Sequence, residues 1–247
     1  MLNYSVHGEG RPIVYLHGFL ESSTMWTFLN FQAFNTRNIF IDLPGHGQSD
    51  LTDSSENPSL DFMANEVSKI LNLLQIETYS VIGHSMGGYV GLLLKKNDSR
   101  CKKVVLLNSN FWDDTEQKKK DRIRVAEISF KAKKIFIREA IPNLFGKPEN
   151  FPNEIIHLTN EAMDMSHESI AYASLAMRKR NDFTDSINSN PADYFIIHGI
   201  LDRLIDADFL RKQLSSEKNL FFIENAGHMA HIEQSEEVLV ILNKIFS

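Results

Sequence analysis

The chain has 247 residues, of which 43% are hydrophobic and 23% are charged, and its formal net charge is −6. This length and composition are typical of one soluble globular domain with a full hydrophobic core, and they exclude a largely disordered chain. The mild acidity provides no general attraction for phosphate backbones, so we do not expect nucleic acid as a partner.

The sequence shows no targeting or membrane signal. Residues 1–8 lack a basic segment followed by an apolar run, and no apolar stretch approaches the roughly 20 residues that span a bilayer. The single cysteine, Cys101, cannot form an internal disulfide. We therefore expect a cytoplasmic protein with no membrane partner.

Short apolar runs alternate with helical patterns in the first half of the chain. Strands are predicted at 13–16, 38–42, 79–83 and 103–108, where apolar or β-branched runs end at turn residues. Helices are predicted at 60–74, where apolar residues recur on one face, and at 87–96. Unbroken apolar strands alternating with helices predict a mostly parallel sheet with helices on both faces.

The pattern changes at about residue 111, after which no strand pattern occurs up to about residue 190. This segment instead predicts helices at 117–125, 130–140, 154–165 and 169–180. Strands resume at 193–198 and 219–224, and a final helix capped by Ser235 runs to Phe246. We therefore predict an α/β core at 1–110 and 191–247, with a helical lid insertion at 111–190 that covers the carboxyl ends of the strands.

One pentapeptide carries the main chemical signal. Residues 83–87, Gly-His-Ser-Met-Gly, match G-x-S-x-G between a predicted strand and a predicted helix, which is the context of a nucleophile elbow. The alternative is an ordinary glycine-rich turn. In an elbow, Ser85 is the nucleophile, and the N–H of Met86 is one donor of an oxyanion hole. The second donor is expected in the loop after the first predicted strand, at Phe19.

A nucleophilic serine requires a base and an acid that orients it, in the chain order Ser, acid, His on this type of fold. Asp202 and His228 each follow a predicted strand and occur in that order, so they are the candidates. Other acids and histidines lie nearby, and we assign them structural or helix-capping roles: Asp193, Asp206, Asp208, His17, His46, His198 and His231. No zinc-like spacing and no nucleotide-binding glycine motif occurs, so we predict no metal and no cofactor.

Five segments together resemble the α/β-hydrolase superfamily, in its small esterase and enol-lactonase-like branch. They are 17–19, 42–49, 83–88, 199–202 and 227–233. The resemblance implies an α/β-hydrolase fold with a Ser85-Asp202-His228 triad. Serine rather than aspartate at position 85 argues against haloalkane dehalogenases and epoxide hydrolases. The branch also contains a menaquinone-pathway lyase that holds a dianionic substrate with arginines, for which Arg122, Arg124 and Arg178 are candidates here.

These observations predict a serine hydrolase that cleaves a small or medium apolar ester through an acyl-enzyme. The insertion is rich in large apolar side chains, and Phe19, Trp112 and Met177 are the candidate substrate-binding residues. The alternative is a hydrolase or lyase acting on a carbon–carbon bond or a lactone. A ligand receptor with slow turnover is a third hypothesis. We expect a small-molecule substrate as the partner, and a monomer or a homodimer.

Overall fold

A seven-stranded sheet lies at the centre of the structure, a computed structural model that describes residues 1–31, 35–52 and 57–246. The strand order is β1-β3-β2-β4-β5-β6-β7, in which β1 is antiparallel to β3 and every other neighbouring pair is parallel. The strands are β1 (Tyr4–His7), β2 (Arg11–Leu16), β3 (Thr36–Ile41), β4 (Tyr79–His84), β5 (Cys101–Leu107), β6 (Tyr194–Gly199) and β7 (Leu220–Ile223).

Helices cover both faces of this sheet. The α-helices of the described residues are α1 (Leu60–Leu73), α2 (Met86–Asn97), α3 (Glu116–Ala140), α4 (Pro152–Asp164), α5 (His167–Arg178), α6 (Thr184–Ser189), α7 (Ala207–Lys212), α8 (Ala230–Glu233) and α9 (Ser235–Phe246). Short 3-10 helices occur at Ser23–Phe28, Pro142–Leu144, Pro148–Asn150 and Pro191–Asp193. No helix in these ranges is long and apolar enough to cross a membrane.

The unbroken apolar runs of the central strands supply two hydrophobic layers at once. In β5, Val104 and Leu106 pack into the layer that contains α1 and α2, whereas Val105 and Leu107 pack into the layer that contains α9. Because successive side chains of a strand point to opposite faces, a strand buried on both sides needs apolar residues at every position. The predicted mostly parallel sheet with helices on both faces is therefore confirmed.

The sequence patterns missed three details. Strand β1 was not predicted, because its residues Tyr-Ser-Val-His are not an apolar run and it lies at the antiparallel edge of the sheet. The predicted helices at 117–125 and 130–140 are one element, α3, with a break at Ala132. Ser235 was predicted as an N-cap, which is wrong, since α9 begins at Ser235 itself and Gln234 separates it from α8.

Helices α3 to α6 lie between β5 and β6, in the segment predicted as a lid. A third apolar cluster joins this segment to the sheet domain, in which Ile137, Phe145 and Leu158 pack with Leu20 and Met229. The segment therefore rests on the loops that follow β2 and β7. The domain boundaries at 110 and 190, and the role of the segment as a lid, stay predictions.

Candidate active site

Ser85 occupies a sharp turn between β4 and α2. Its backbone has φ +48° and ψ −113°, a conformation that a non-glycine residue rarely adopts and that costs of order 1–3 kcal/mol. Neighbouring groups hold the turn, because the Ser85 N–H donates to the carbonyl of Leu107 at 3.0 Å and its carbonyl accepts from Ser109 Oγ at 2.7 Å. The half-buried hydroxyl stands at the N-terminus of α2, where the helix dipole favours negative charge.

The glycines that flank this turn are required by close backbone contacts. A Cβ on Gly83 would lie 2.4 Å from the carbonyl carbon of Gly87. A Cβ on Gly87 would lie 2.3 Å from the carbonyl oxygen of Leu16, in β2. Because both contacts are with backbone, no side-chain movement relieves them. The G-x-S-x-G pattern therefore reports the packing of α2 against β2 and β4.

Asp202 and His228 meet at the carboxyl ends of β6 and β7. His228 Nδ1–H donates to Asp202 Oδ2 at 2.7 Å, and both side chains are almost fully buried. Asp202 Oδ1 accepts the backbone N–H groups of Leu204 at 2.8 Å and Ile205 at 3.2 Å. Burial alone would raise the pKa of Asp202, but attraction to His228 and the hydrogen bond from His228 lower it to about 2. Asp202 is therefore a fixed anion that orients the imidazole of His228.

Asn108 is a further member of this arrangement that the sequence analysis missed. It follows β5 in a left-handed conformation with φ +44°, which asparagine tolerates better than most residues. Its Nδ2 donates to Asp202 Oδ2 at 3.0 Å and to the carbonyl of Gly227 at 2.9 Å. An asparagine directly after a strand was the only available signal. Asn108 thus connects the loop of the acid to the loop of the histidine.

The other acids and histidines near the candidate triad in the sequence lie in other positions in the structure. Asp206 caps α7 by accepting the N–H of Phe209 at 2.7 Å. His198 Nε2 donates to the carbonyl of Ile205 at 3.0 Å, and His17 Nε2 accepts the N–H of Leu43 at 2.9 Å. Burial lowers the pKa of both histidines. The remaining rivals lie elsewhere: His46 is buried beside His17, His231 is buried in α8, Asp193 ends the 3-10 helix before β6, and Asp208 lies in α7.

A second pair of charged groups lies beside His228. Glu21 Oε2 accepts the N–H of Gly18 at 2.6 Å and lies 2.8 Å from His84 Nδ1. The other ring nitrogen of His84, Nε2, donates to the carbonyl oxygen of His228 at 2.8 Å. The pair thus touches the loop after β2, the residue before Ser85 and the backbone of His228. Neither Glu21 nor this role of His84 was predicted.

The segment between β5 and β6 also contacts the histidine loop through backbone. The N–H of His228 donates to the carbonyl of Leu144 at 2.7 Å. Glu233 spans the same junction, since its carboxylate accepts the N–H of Gly146 at 2.9 Å and that of Gly227 at 2.7 Å. The position of His228 therefore depends on residues 144–146 as well as on β7.

A cavity of about 300 Å³ contains Ser85 and His228 in its wall. The predicted substrate-binding residues Phe19, Trp112 and Met177 all line it. Met86 does not line it, but as the first residue of α2 it has an N–H with no acceptor inside its own helix. The wall is not purely apolar, because it also includes charged side chains, which are Glu21, Asp113, Asp114, Lys118, Arg122, Arg180 and Asp206.

Two arginines share one buried carboxylate in this wall. Asp114 Oδ1 lies 2.5 Å from Arg180 Nη1, and its Oδ2 lies 3.1 Å from Arg122 Nε. The guanidinium of Arg180 also lies 4.6 Å from the ring centre of Tyr89, and its Nε donates to the carbonyl of Trp112. These contacts join Asp114, which precedes α3, to Arg180, which follows α5.

The three arginines that the resemblance suggested lie in different positions relative to the cavity. Arg122 lines the cavity, whereas the side chain of Arg124 is 65% exposed and pairs with Asp121. Arg178 is not part of the cavity wall. Arg180, which does line it, was missed because it is the last of three consecutive basic residues at 178–180 and carries no spacing signal. Within residues 1–31, 35–52 and 57–246, no cluster of His, Cys, Asp and Glu is arranged to hold a metal ion.

Comparison with known proteins defines the class. The family model for the alpha/beta hydrolase fold matches residues 11–235, so the chain belongs to the α/β-hydrolase family. Two curated relatives are similar over most of their length and of this chain. The AB hydrolase superfamily protein YisY of Bacillus subtilis is 26% identical, with 94% of this chain and 90% of that protein covered. The (E)-2-((N-methylformamido)methylene)succinate hydrolase of Acinetobacter baylyi is 24% identical, with 96% and 90% covered.

A solved structure supports the same family membership. A thermophilic esterase from Thermogutta terrifontis, with malate bound, superposes with a TM-score of 0.87 at 26% identity. The superposition covers 100% of this chain and 94% of the esterase. Membership of this family supports the prediction that the protein is an enzyme. The predicted resemblance to the α/β-hydrolase superfamily is confirmed.

Proposed function

We propose that the protein is a serine hydrolase that cleaves carboxylic esters through an acyl-enzyme on Ser85. The observation that supports this most is the 2.7 Å hydrogen bond from His228 to Asp202, in the wall of the same cavity as Ser85. The strained backbone at Ser85 adds support, because strain of this kind concentrates at functional sites. The esterase of similar structure is consistent with the same chemistry.

In the first step His228 Nε2 removes the hydroxyl proton of Ser85 while Oγ attacks the ester carbonyl carbon. Asp202 keeps the other imidazole proton on Nδ1 and stabilises the imidazolium that forms. The tetrahedral intermediate then expels the alcohol, which takes the proton from His228 Nε2. In the second step His228 activates a water molecule, which releases the acid and restores Ser85.

The negative oxygen of the intermediate needs two donors, and we assign the N–H groups of Met86 and Phe19. Met86 begins α2, where the backbone N–H groups point out of the helix. Phe19 follows β2 in the cavity wall, and its N–H has no protein acceptor within the described ranges. Removing one such donor typically costs on the order of 100- to 1,000-fold in turnover.

The labelling experiment that tests this function uses a fluorophosphonate probe followed by peptide mapping. We expect modification of Ser85 in the wild-type protein and its loss in His228→Ala. The matched control is His157→Ala, since this half-exposed histidine lies in α4 outside the cavity wall. A folded protein that is not labelled at Ser85, or equal labelling in His228→Ala, would overturn the proposal.

A second candidate substrate class is a lactone, or a compound with a cleavable carbon–carbon bond, that carries a carboxylate. Lys118 favours it, because its side chain lines the cavity one helical turn from Arg122, which pairs with Asp114. The Acinetobacter relative is named as a hydrolase of a substituted succinate. The two candidate substrate classes differ in one group: this substrate carries a carboxylate, whereas the predicted ester is apolar.

Two esters of equal length separate these substrate classes: 4-nitrophenyl valerate and mono-4-nitrophenyl glutarate. If a carboxylate is preferred, Lys118→Gln raises KM for the glutarate ester by about two- to fivefold, as expected for an exposed ion pair, and leaves the valerate ester unchanged. Lys120→Gln, two residues along α3 and outside the cavity wall, is the control. Equal effects on both esters would leave the apolar ester as the preferred class.

A further inference from the structure

Glu21 and His84 form a buried pair of ionisable groups that takes no part in the proton transfers of acyl-enzyme chemistry. Glu21 is 3% exposed and His84 is fully buried. Their atoms Oε2 and Nδ1 lie 2.8 Å apart. Removing two charges from water costs several kcal/mol per ion, and an apolar pair of similar size usually gives equal or greater stability. The pair therefore calls for an explanation other than stability.

The neighbours of the pair determine where its protons lie. A carbonyl oxygen can only accept, so His84 Nε2 must carry a proton to bond the carbonyl of His228 at 2.8 Å. Glu21 Oε2 accepts the N–H of Gly18, and a carboxylic acid gives up its proton more readily than an imidazolium, so the proton between Glu21 and His84 lies on Nδ1. Both ring nitrogens of His84 are then protonated. The pair is an imidazolium and a carboxylate.

The electrostatics agree with this proton count. Burial alone would lower the pKa of His84, but attraction to Glu21 and the hydrogen bond between them raise it above its ordinary value. Burial alone would raise the pKa of Glu21, and attraction to His84 lowers it instead. The other ionisable groups around His84 are Asp202, whose charge also favours the imidazolium, and the rings of His228 at 5.1 Å and His231 at 4.9 Å. Burial lowers the pKa of His231, so it adds no competing positive charge.

This pair connects the three loops that must meet for acyl transfer. Glu21 binds the N–H of Gly18, directly before the proposed oxyanion donor Phe19. His84 directly precedes Ser85, and its ring binds the backbone of His228. The side chains of Ser85, Asp202 and His228 lie on separate loops, so small shifts of one loop change the reacting geometry. A displacement of about 1 Å can cost about 100-fold in rate.

We propose that the Glu21–His84 ion pair is a positioning device, which holds His228 and the Gly18–Phe19 backbone in register with Ser85 and requires both protons on His84. The predicted effect of this device on the turnover number rests on the proposed acyl transfer. It predicts a specific pH dependence, because the device is intact below the raised pKa of His84 and is lost as the pH rises through that value. The turnover number then falls on the alkaline side.

The kinetic test uses Glu21→Gln, which keeps the size of the side chain and an oxygen that accepts the N–H of Gly18. Without a carboxylate, His84 holds one proton near neutral pH and cannot bond both partners. We expect kcat for 4-nitrophenyl acetate to fall about 10- to 100-fold with KM nearly unchanged, and the alkaline limb of the kcat profile to disappear. The control is Glu161→Gln, whose carboxylate lies near Thr24 and has no bond to His84 or His228.

A second measurement needs no variant and no substrate. In protein labelled with nitrogen-15 at histidine, we expect both ring nitrogens of His84 to be protonated at pH 6, below the ordinary imidazole pKa of 6.5. An unprotonated nitrogen on His84 at that pH would overturn the proposal, even if Glu21→Gln does not fold. If the fluorophosphonate labels Ser85 but Glu21→Gln keeps the wild-type kcat and pH profile, the positioning role is refuted. Absence of labelling would instead refute the acyl-transfer function, whatever the protonation of His84.

Discussion

Replacing Asp202 with asparagine separates the charge of this side chain from its shape. The carboxylate accepts four hydrogen bonds, from His228 and Asn108 on Oδ2 and from Leu204 and Ile205 on Oδ1. An asparagine has one accepting oxygen and one NH₂ group. The donors that now bind one of the two carboxylate oxygens would therefore face an NH₂ group, which is itself a donor. If NH₂ faces His228, Nδ1 becomes the acceptor and the ring proton moves to Nε2, where it blocks removal of the serine proton.

The expected loss of stability follows from the pKa. A shift from 3.8 to about 2 corresponds to about 2 kcal/mol, present above pH ~4 and lost as the pH falls through about 2. The unsatisfied donors add about 1–3 kcal/mol, which gives about 3–5 kcal/mol in total for Asp202→Asn. For a domain of this size the melting temperature then falls by roughly 6–20 °C. Because the imidazole also adopts the wrong tautomer, we expect kcat to fall about 10,000-fold.

The assay is hydrolysis of 4-nitrophenyl acetate at 25 °C, with a thermal melt monitored by circular dichroism. Asp206→Asn is the matched control, because Asp206 also lines the cavity and asparagine caps α7 equally well. The control should retain wild-type turnover. If Asp202→Asn keeps more than about a tenth of wild-type kcat while Asp206→Asn loses activity, the orienting acid is misassigned and the reasoning fails.

Three further substitutions test the serine turn and the segment between β5 and β6. Ser85→Ala should abolish the mass increase caused by a fluorophosphonate without changing the melting temperature, because the side chain makes no capping hydrogen bond; a labelled variant would contradict this. Gly87→Ala places a Cβ 2.3 Å from a backbone oxygen, so urea denaturation should show a loss of about 3 kcal/mol or more, and wild-type stability would be contrary to the packing described. Asp114→Asn leaves Arg180, 9% exposed, without its counter-charge, and the same assay should show a loss of about 3–5 kcal/mol. A loss below about 1 kcal/mol would mean that solvent reaches Arg180.

Several features of the fold and the candidate site could be predicted from local patterns. Strands β2 to β7 are short apolar runs that end at turn residues, and each candidate residue follows such a run. Ser85 lies in a pentapeptide whose glycines are required by backbone contacts, so the pattern is visible without knowledge of the partner strands. Asp202 and His228 could be chosen as candidates because chain order and strand ends limit the choice to a few residues, and the structure brings their side chains together at 2.7 Å.

The supporting residues could not be predicted, because their partners are distant in the chain. Asn108 and Asp202 are 94 residues apart, and Glu21 and His84 are 63 residues apart. A single polar residue in a loop has no periodicity, so nothing in the sequence distinguishes it from a solvent-exposed one. The pair of Arg180 and Asp114 in the cavity wall was missed for the same reason, since α3 to α5 separate these two residues in the chain and they meet only in the folded structure.

The 2.7 Å hydrogen bond from the N–H of His228 to the carbonyl of Leu144 has a consequence for engineering. The segment between β5 and β6 cannot be exchanged freely, since the main-chain oxygen of Leu144 within it supports the backbone of His228. A chimera that receives the corresponding segment from another hydrolase would have to present a carbonyl at the same point. Otherwise a graft chosen to change the cavity wall would also displace the backbone of His228.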